Sequence, residues 1–196
     1  FRAEYLGHTQ TILQNVESDP TVTFQTVAVN VELIKSDNSD MTAEELLYRH
    51  GDNTYHSLGT NTHDADIEML PLSYYFRVIY LGHDQTILQN VDSDPTVTFQ
   101  TVDVTVELRD VSNNLVVADE FLYRHGDNTY WSIGNNGSQF NLEMLPLSYY
   151  FRCIDDGSLL STTLQNVGSN ATVTFTYIPP PPTSKGSFKD GLASDF

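Results

Sequence analysis

Lysine is nearly missing from this chain: three stand among 196 residues, and none between 76 and 150. Cysteine is scarcer still. Cys153 stands alone, so no disulfide can form within the chain. No HExxH, CxxC or P-loop pattern occurs in the repeated copies described below. No apolar run approaches the ~18–20 residues that cross a bilayer, which argues against direct membrane insertion. Nine basic residues face 26 acidic ones, a net charge of -17. Nucleic acid and anionic membrane both need clustered Lys and Arg, so neither is expected as a partner. Position 1 is Phe rather than Met, which leads us to expect a processed chain or a stretch of a longer one.

What the chain has in abundance is itself. "FRAEYLGHTQTILQNVESDPTVTFQTV" at 1–27 returns as "FRVIYLGHDQTILQNVDSDPTVTFQTV" at 76–102, and 50 of the 75 positions of the two copies match without a gap. A third copy opens at 151 as "FRCIDDGSLLSTTLQNVGSNATVTFTY" and gives way to "IPPPP". Prolines remove the backbone donors that a continuing strand needs.

Within each copy the apolar period is two. Seven strands are expected, near 27–33, 45–50, 54–58, 65–69, 74–81, 85–91 and 96–100, separated by "SDNSD", "HGDN", "GTNTHD", "LPLS", "LGHD" and "DSDP" turns. "MTAEELLY" has capping-box spacing at Thr42 and Glu45, yet its counterpart "VVADEFLY" has no such cap, so both read as strand. The fold class expected is all-β: tandem seven-stranded antiparallel sandwiches of immunoglobulin-like architecture. In "TVTFQTVAVNVEL" the apolar alternation changes phase between Phe24 and Val27, which one strand cannot do. We read two strands from two units, joined at Gln25 and Thr26. The units then run 27–100 and 102–178, residues 1–24 hold the last three strands of an incomplete sandwich, and 179–196 form a Pro-rich tail. So short a link leaves little freedom, since a flexible tether reaches only about 5–6 Å × √n. The expected shape is a rod.

The run "VTVELRD…EFLYRH…YWSIG…FNLEMLPLSYYFRVIYLG…VTFQT" resembles tandem repeats of large bacterial surface proteins, in the transthyretin-like class that includes collagen-adhesin B-type stalk domains. The most telling piece is "LEMLPLSYYFR". The resemblance covers about 1–178. It implies a β-sandwich stalk and leaves function open. Such stalk domains can carry a Lys–Asn crosslink; residues 76–150 hold no Lys, and Lys35 aligns with Asp110. Stiffness here is therefore expected from packing and junctions.

Chemistry has few candidates. In "YRHGDNTY", His50 with Asp52 and His125 with Asp127 have the makings of a metal or acid–base pair, although a Gly-Asp-Asn hairpin turn needs the same residues for its backbone. No nucleophile with a base recurs in both copies, so no enzyme is expected. Calcium is the chemical alternative, with Asp19, Asp92 and Asp94 of "ESDP" and "DSDP" as its candidate ligands near a junction. Tyr130 and Trp131 offer a sugar-stacking platform, but Trp131 alternates with Ile133 as a core pair would. The paired tyrosines of "SYYFR" are expected to give one ring to each sheet face. Asn136 and Asn170 are glycosylation sequons.

The expectation is thus a structural extracellular protein, a rigid stalk or fibre segment whose partners are neighbouring repeats or identical subunits end to end. Strand addition to the orphan strands of 1–24, with a donor around Phe188, is one assembly route. The rival is an adhesin module that binds calcium or surface glycan.

Overall fold

The computed structural model describes residues 1–179 and contains sixteen strands. They are β1 (Arg2–Tyr5), β2 (His8–Thr11), β3 (Val27–Ile34), β4 (Ala43–Arg49), β5 (Tyr55–Thr62), β6 (Asp64–Met69), β7 (Ser73–Tyr80), β8 (His83–Asn90) and β9 (Thr96–Gln100). The same series then repeats as β10 (Val102–Asp110), β11 (Ala118–Arg124), β12 (Tyr130–Gly137), β13 (Gln139–Met144), β14 (Ser148–Asp155), β15 (Ser158–Asn166) and β16 (Thr172–Tyr177).

Each series folds into two sheets. In the first, β6-β3-β9 faces β5-β4-β7-β8; in the second, β13-β10-β16 faces β12-β11-β14-β15. Pairing is antiparallel except between β3 and β9 and between β10 and β16, which run parallel. The alternation foreseen in the sequence sets the core. Val29, Val31 and Leu33 of β3 meet Leu46, Phe76 and Val78 from the facing sheet, with Val97 and Phe99 of β9 beside them. Val104, Val106, Leu108, Phe121, Phe151 and Cys153 do the same in the second unit. Tyr74 and Tyr149 lie inside while Tyr75 and Tyr150 lie outside, as the strand period requires.

Three expectations change. Residues 21–24 form no strand; only β1 and β2 pair in the first 26 residues. The equivalent segments β9 and β16 pair with the first strand of their own unit, and residues 21–24 pair with no such strand among the described residues. The strand expected at 54–58 continues to Thr62 through a bulge at Leu46/Leu47. Glycine in this strand makes room for a neighbouring ring: in the second unit a Cβ on Gly134 would lie 2.4 Å from Phe140. Finally, the proline-rich tail and the donor segment around Phe188 lie outside the described residues, apart from Pro179.

The units differ at one buried charge. Glu107 is 5% exposed and accepts from Arg109 Nε at 2.7 Å and Nη2 at 2.8 Å, with Thr174 Oγ1 at 2.9 Å. The Arg109 fork holds its carboxyl below the ordinary 4.5, with the Thr174 hydroxyl assisting against burial. The first unit has Ile34 where Arg109 stands, and Glu32 meets only Thr98 there. A lowered carboxylate contributes stability that is present above its unfolded value and lost as pH falls through the folded one. The second unit should therefore lose stability on acidification below about pH 4.5. In Arg109→Met the buried carboxylate loses its partner, and mild acidification should then stabilise the unit instead. Denaturant titrations at stepped pH, read separately for each unit by hydrogen exchange, measure the sign.

Candidate functional site

The most elaborate constellation in the chain is a joint, built from a hairpin of one unit and a turn of the next. The hairpin joins β7 to β8. Tyr80 pairs with His83, and the two residues between them, Leu81 at φ 51° and Gly82 at φ 68°, are both left-handed. That is the primed turn that suits the twist of paired strands. Glycine takes it freely, while leucine there is strained. The strain has a counterpart in packing, because Leu81 lies against the cores of both units.

The receiving turn is "YRHGDNTY". His125 N–H donates to Thr129 O at 2.8 Å, and Asn128 turns left-handed at φ 68°. Asp127 Oδ1 accepts from Thr129 N at 2.9 Å and from Thr129 Oγ1 at 2.6 Å, and Arg124 reaches Asn128 Oδ1 at 2.6 Å. Those Thr129 bonds, with His125 nearby, lower the Asp127 carboxyl; the equivalent Asp52 is held down to about 2, mainly by Thr54. The His–Asp pair thus shapes the turn.

The hairpin seats on that turn. Gly126 N–H donates to Leu81 O at 3.4 Å, His83 Nε2 donates to Arg124 O at 3.0 Å, and the His83 ring stands edge-on to Tyr149 at 4.6 Å and 71°. The backbones touch so closely that a Cβ on Gly126 would lie 1.6 Å from Gly82 O. The same joint occurs 75 residues earlier. Gly51 N–H reaches Leu6 O at 3.2 Å, His8 reaches Arg49 O at 3.2 Å, His8 meets Tyr74 at 4.5 Å and 66°, and a Cβ on Gly51 would lie 1.7 Å from Gly7 O. A crevice flanks each, lined by Arg49, His50, Tyr74 and Tyr75 in one case and Arg124, His125, Tyr149 and Tyr150 in the other.

The later joint has a second attachment on the opposite layer. Glu143 of β13 accepts from Ser36 N at 3.3 Å and Ser36 Oγ at 2.5 Å, and from the hydroxyl of Thr101. Thr101 is the one residue between β9 and β10; it is buried and its N–H bonds Ile34 O at 3.0 Å. Tyr80, also buried here, has its phenol pushed up to about 12 by desolvation, with Glu143 adding to the effect. Two contacts on two layers oppose bending in a way that one cannot.

The third copy of the hairpin reads Asp155-Asp156-Gly157-Ser158 where the second has Tyr80-Leu81-Gly82-His83. The tight turn survives, with Asp156 at φ 51° and Gly157 at φ 65°. Its apolar plug and its histidine are gone, and a Cβ on Gly157 would meet nothing within 4 Å. That exchange was the available sequence signal for the joint: the docking residues differ in the third copy, whose turn meets no neighbour among the described residues.

The other candidates fall elsewhere. Asp19 and Asp94 cap turns, accepting from Thr21 N at 3.1 Å and Thr96 N at 3.2 Å, and Asp92 N–H donates to Asn90 Oδ1 at 3.1 Å. These bonds shape the turns. We expect millimolar calcium to leave the melting temperature unchanged, and an upward shift abolished by Asp94→Asn would assign calcium there instead. Trp131 is not in the core: it is 48% exposed and stacks on His125 at 4.1 Å and 5°. The bulge between Phe121 and Leu122 shifts the alternation, so Ile133 faces inward and Trp131 does not. Arg152 covers the Tyr130 ring at 3.6 Å. Among the described residues, one group of side chains is placed to hold a metal, His50, Asp52 and His56, and no helix is long and apolar enough to cross a membrane.

No family model matches the chain, and no curated protein matches it. Among solved structures, a Streptococcal ancillary pilin is similar at 14% identity and a TM-score of 0.30, over 80% of this chain and 63% of that one. The Bacillus anthracis TIE protein is similar at 12% and 0.28, over 78% of this chain and 33% of that one. The shaft pilin spaA from Lactobacillus rhamnosus GG is similar at 11% and 0.29, over 80% and 100%. The chain thus spans 63% of the first of these and 33% of the second. Those scores fall short of a shared overall shape, and the fold stands on the strand order and register described above.

Proposed function

We propose that the chain is a segment of an extracellular stalk or fibre of the bacterial cell-surface kind, whose work is mechanical spacing. Its units are 27–100 and 102–178, and residues 1–24 belong to a preceding one. The observation that carries this reading is the joint, built twice from the same residues at the same offset of 75. A surface selected for docking a neighbour is preserved there, and the His–Asp turn that suggested catalysis serves to present Gly51 and Gly126. Neighbouring repeats are the partners, end to end.

Chains carrying two, four and six tandem copies test this by small-angle scattering. A stiff array gives a maximum dimension that grows in proportion to copy number, whereas independent beads on flexible links grow roughly as its square root. Square-root growth would sink the proposal.

Residues 12–26 favour a related reading of assembly. They carry the sequence of β8 and β9 beyond Thr11, yet they form no strand, and Leu13 is fully exposed. A strand supplied by a preceding unit or by a second molecule would order them. Sedimentation velocity at rising concentration separates the two sources, because only the second drives self-association. Glycan and calcium form no part of this reading.

A further inference from the structure

The first unit differs from the second beside the joint, and the difference lies in one side chain. Position 131 holds Trp, stacked on His125. Position 56 holds His, and its ring lies 4.8 Å from that of His50, tilted by 38°. Between them, Asp52 Oδ1 stands 3.3 Å from His50 Nδ1. The three residues offer two imidazole nitrogens and a carboxylate oxygen, all within 4.8 Å of one another.

From this geometry we propose that His50, Asp52 and His56 form a binding site for a divalent transition metal of the zinc type, present in the first unit and missing from the second. Each histidine contributes one ring nitrogen and Asp52 one carboxylate oxygen. Ligand bonds of about 2.0–2.2 Å put tetrahedral ligand atoms about 3.3 Å apart. The widest pair therefore closes by no more than about 1.5 Å, within reach of ring rotation on an exposed turn. Three protein ligands leave the fourth position to water, since Asp52 and His56 are exposed. Two imidazoles select zinc, copper or nickel over calcium or magnesium, which take oxygen. The turn is already fixed by the bonds of Thr54 to Asp52 and by the left-handed Asn53, so little order is added on binding.

The site lies against the hairpin. A Cβ on Gly7 would stand 2.5 Å from His50 Cε1, so the ring that would ligate the metal is also the ring on which the preceding hairpin rests. Occupancy of the site would hold that ring still.

Titration calorimetry of the intact chain with zinc chloride tests the proposal, using His56→Ala and Trp131→His. The wild type should bind one equivalent. Loss of even an outer partner of a metal ligand weakens a site about 10–100-fold, so His56→Ala should lose at least tenfold. Trp131→His recreates the triad on His125 and Asp127 and should add a second equivalent. Cobalt should give the intense visible bands of a four-coordinate ion with the wild type and weak ones with His56→Ala. His56 is exposed, so circular dichroism of His56→Ala should match the wild type. Absence of saturable zinc binding, or equal affinity in His56→Ala, overturns the site. A wild type that binds while Trp131→His gains nothing overturns the assignment of ligands.

Discussion

Gly126→Ala should free the two units from each other while leaving both folded. The added methyl would lie 1.6 Å from Gly82 O and 2.2 Å from Gly82 C, and these are backbone atoms that no rotamer change moves aside. The turn itself would accept alanine, because Gly126 is not among the glycines at positive φ. The clash is therefore relieved by lifting the hairpin off the turn. That movement breaks the His83 bond to Arg124 O and the edge contact with Tyr149, and uncovers Leu81. A hydrogen bond contributes about 1 kcal/mol, an aromatic edge contact about 0.5–1.5, and partial exposure of a leucine about 1. Coupling should fall by about 3 kcal/mol, roughly a hundredfold in the docked population. Nitrogen-15 relaxation reads this directly. The wild type should tumble as one elongated body, and the variant as two shorter ones. Tumbling unchanged by the substitution would show that the hairpin contact does not hold the units and that the Glu143 attachment does. Gly82→Ala would be a poorer probe, since its φ of 68° strains any other residue before docking is considered.

Phe151→Ala should have the largest effect on stability, and confine it to one unit. Phe151 is fully buried in β14, opposite Tyr123 and beside Tyr149 at 6.3 Å. Truncating a buried phenylalanine costs about 3–5 kcal/mol in lost transfer energy and cavity. A sandwich of this size has a total stability near the lower end of about 5–15 kcal/mol, so β10 to β16 should be close to unfolding at room temperature. The two cores share the flanking Leu81 and Leu147, and of the second unit's fully buried side chains only Leu145 packs into the first unit's core. Amide exchange in β3 to β9 should therefore remain protected while that in β10 to β16 collapses. Phe76→Ala should give the reverse. Equal loss in both units would mean that they fold as one.

The alternation of Val27, Val29, Val31 and Leu33 made the first strand legible, and a break in phase marked the joint, because strand sidedness is a local property. The Tyr-Tyr pairs were legible for the same reason. The docking of Leu81-Gly82-His83 was not. Its partners lie 41 residues away for the His83 bond, and a Leu-Gly pair followed by His looks like any hairpin turn. A glycine required by a close approach between backbones reads in sequence like a glycine required by φ, and Gly126 is of the first kind. Trp131 was misjudged because a bulge adds one residue to β12, and no local pattern announces it. The strand expected at 21–24 failed for a non-local reason as well: the same letters make a strand only where a parallel partner exists.

The near-identity of the two joints has a consequence in terms of symmetry. A hairpin that docks on a different surface of its neighbour makes a heterologous contact, one that does not close on itself. His8 on Tyr74 at 4.5 Å and His83 on Tyr149 at 4.6 Å are two uses of one operator. Repeated along a longer array, a single operator generates a screw, with a fixed rotation and rise for each 75 residues. Any feature carried by one unit, such as Trp131 or the His56 that replaces it, would then wind around the axis at a pitch set by the turn that holds Gly126.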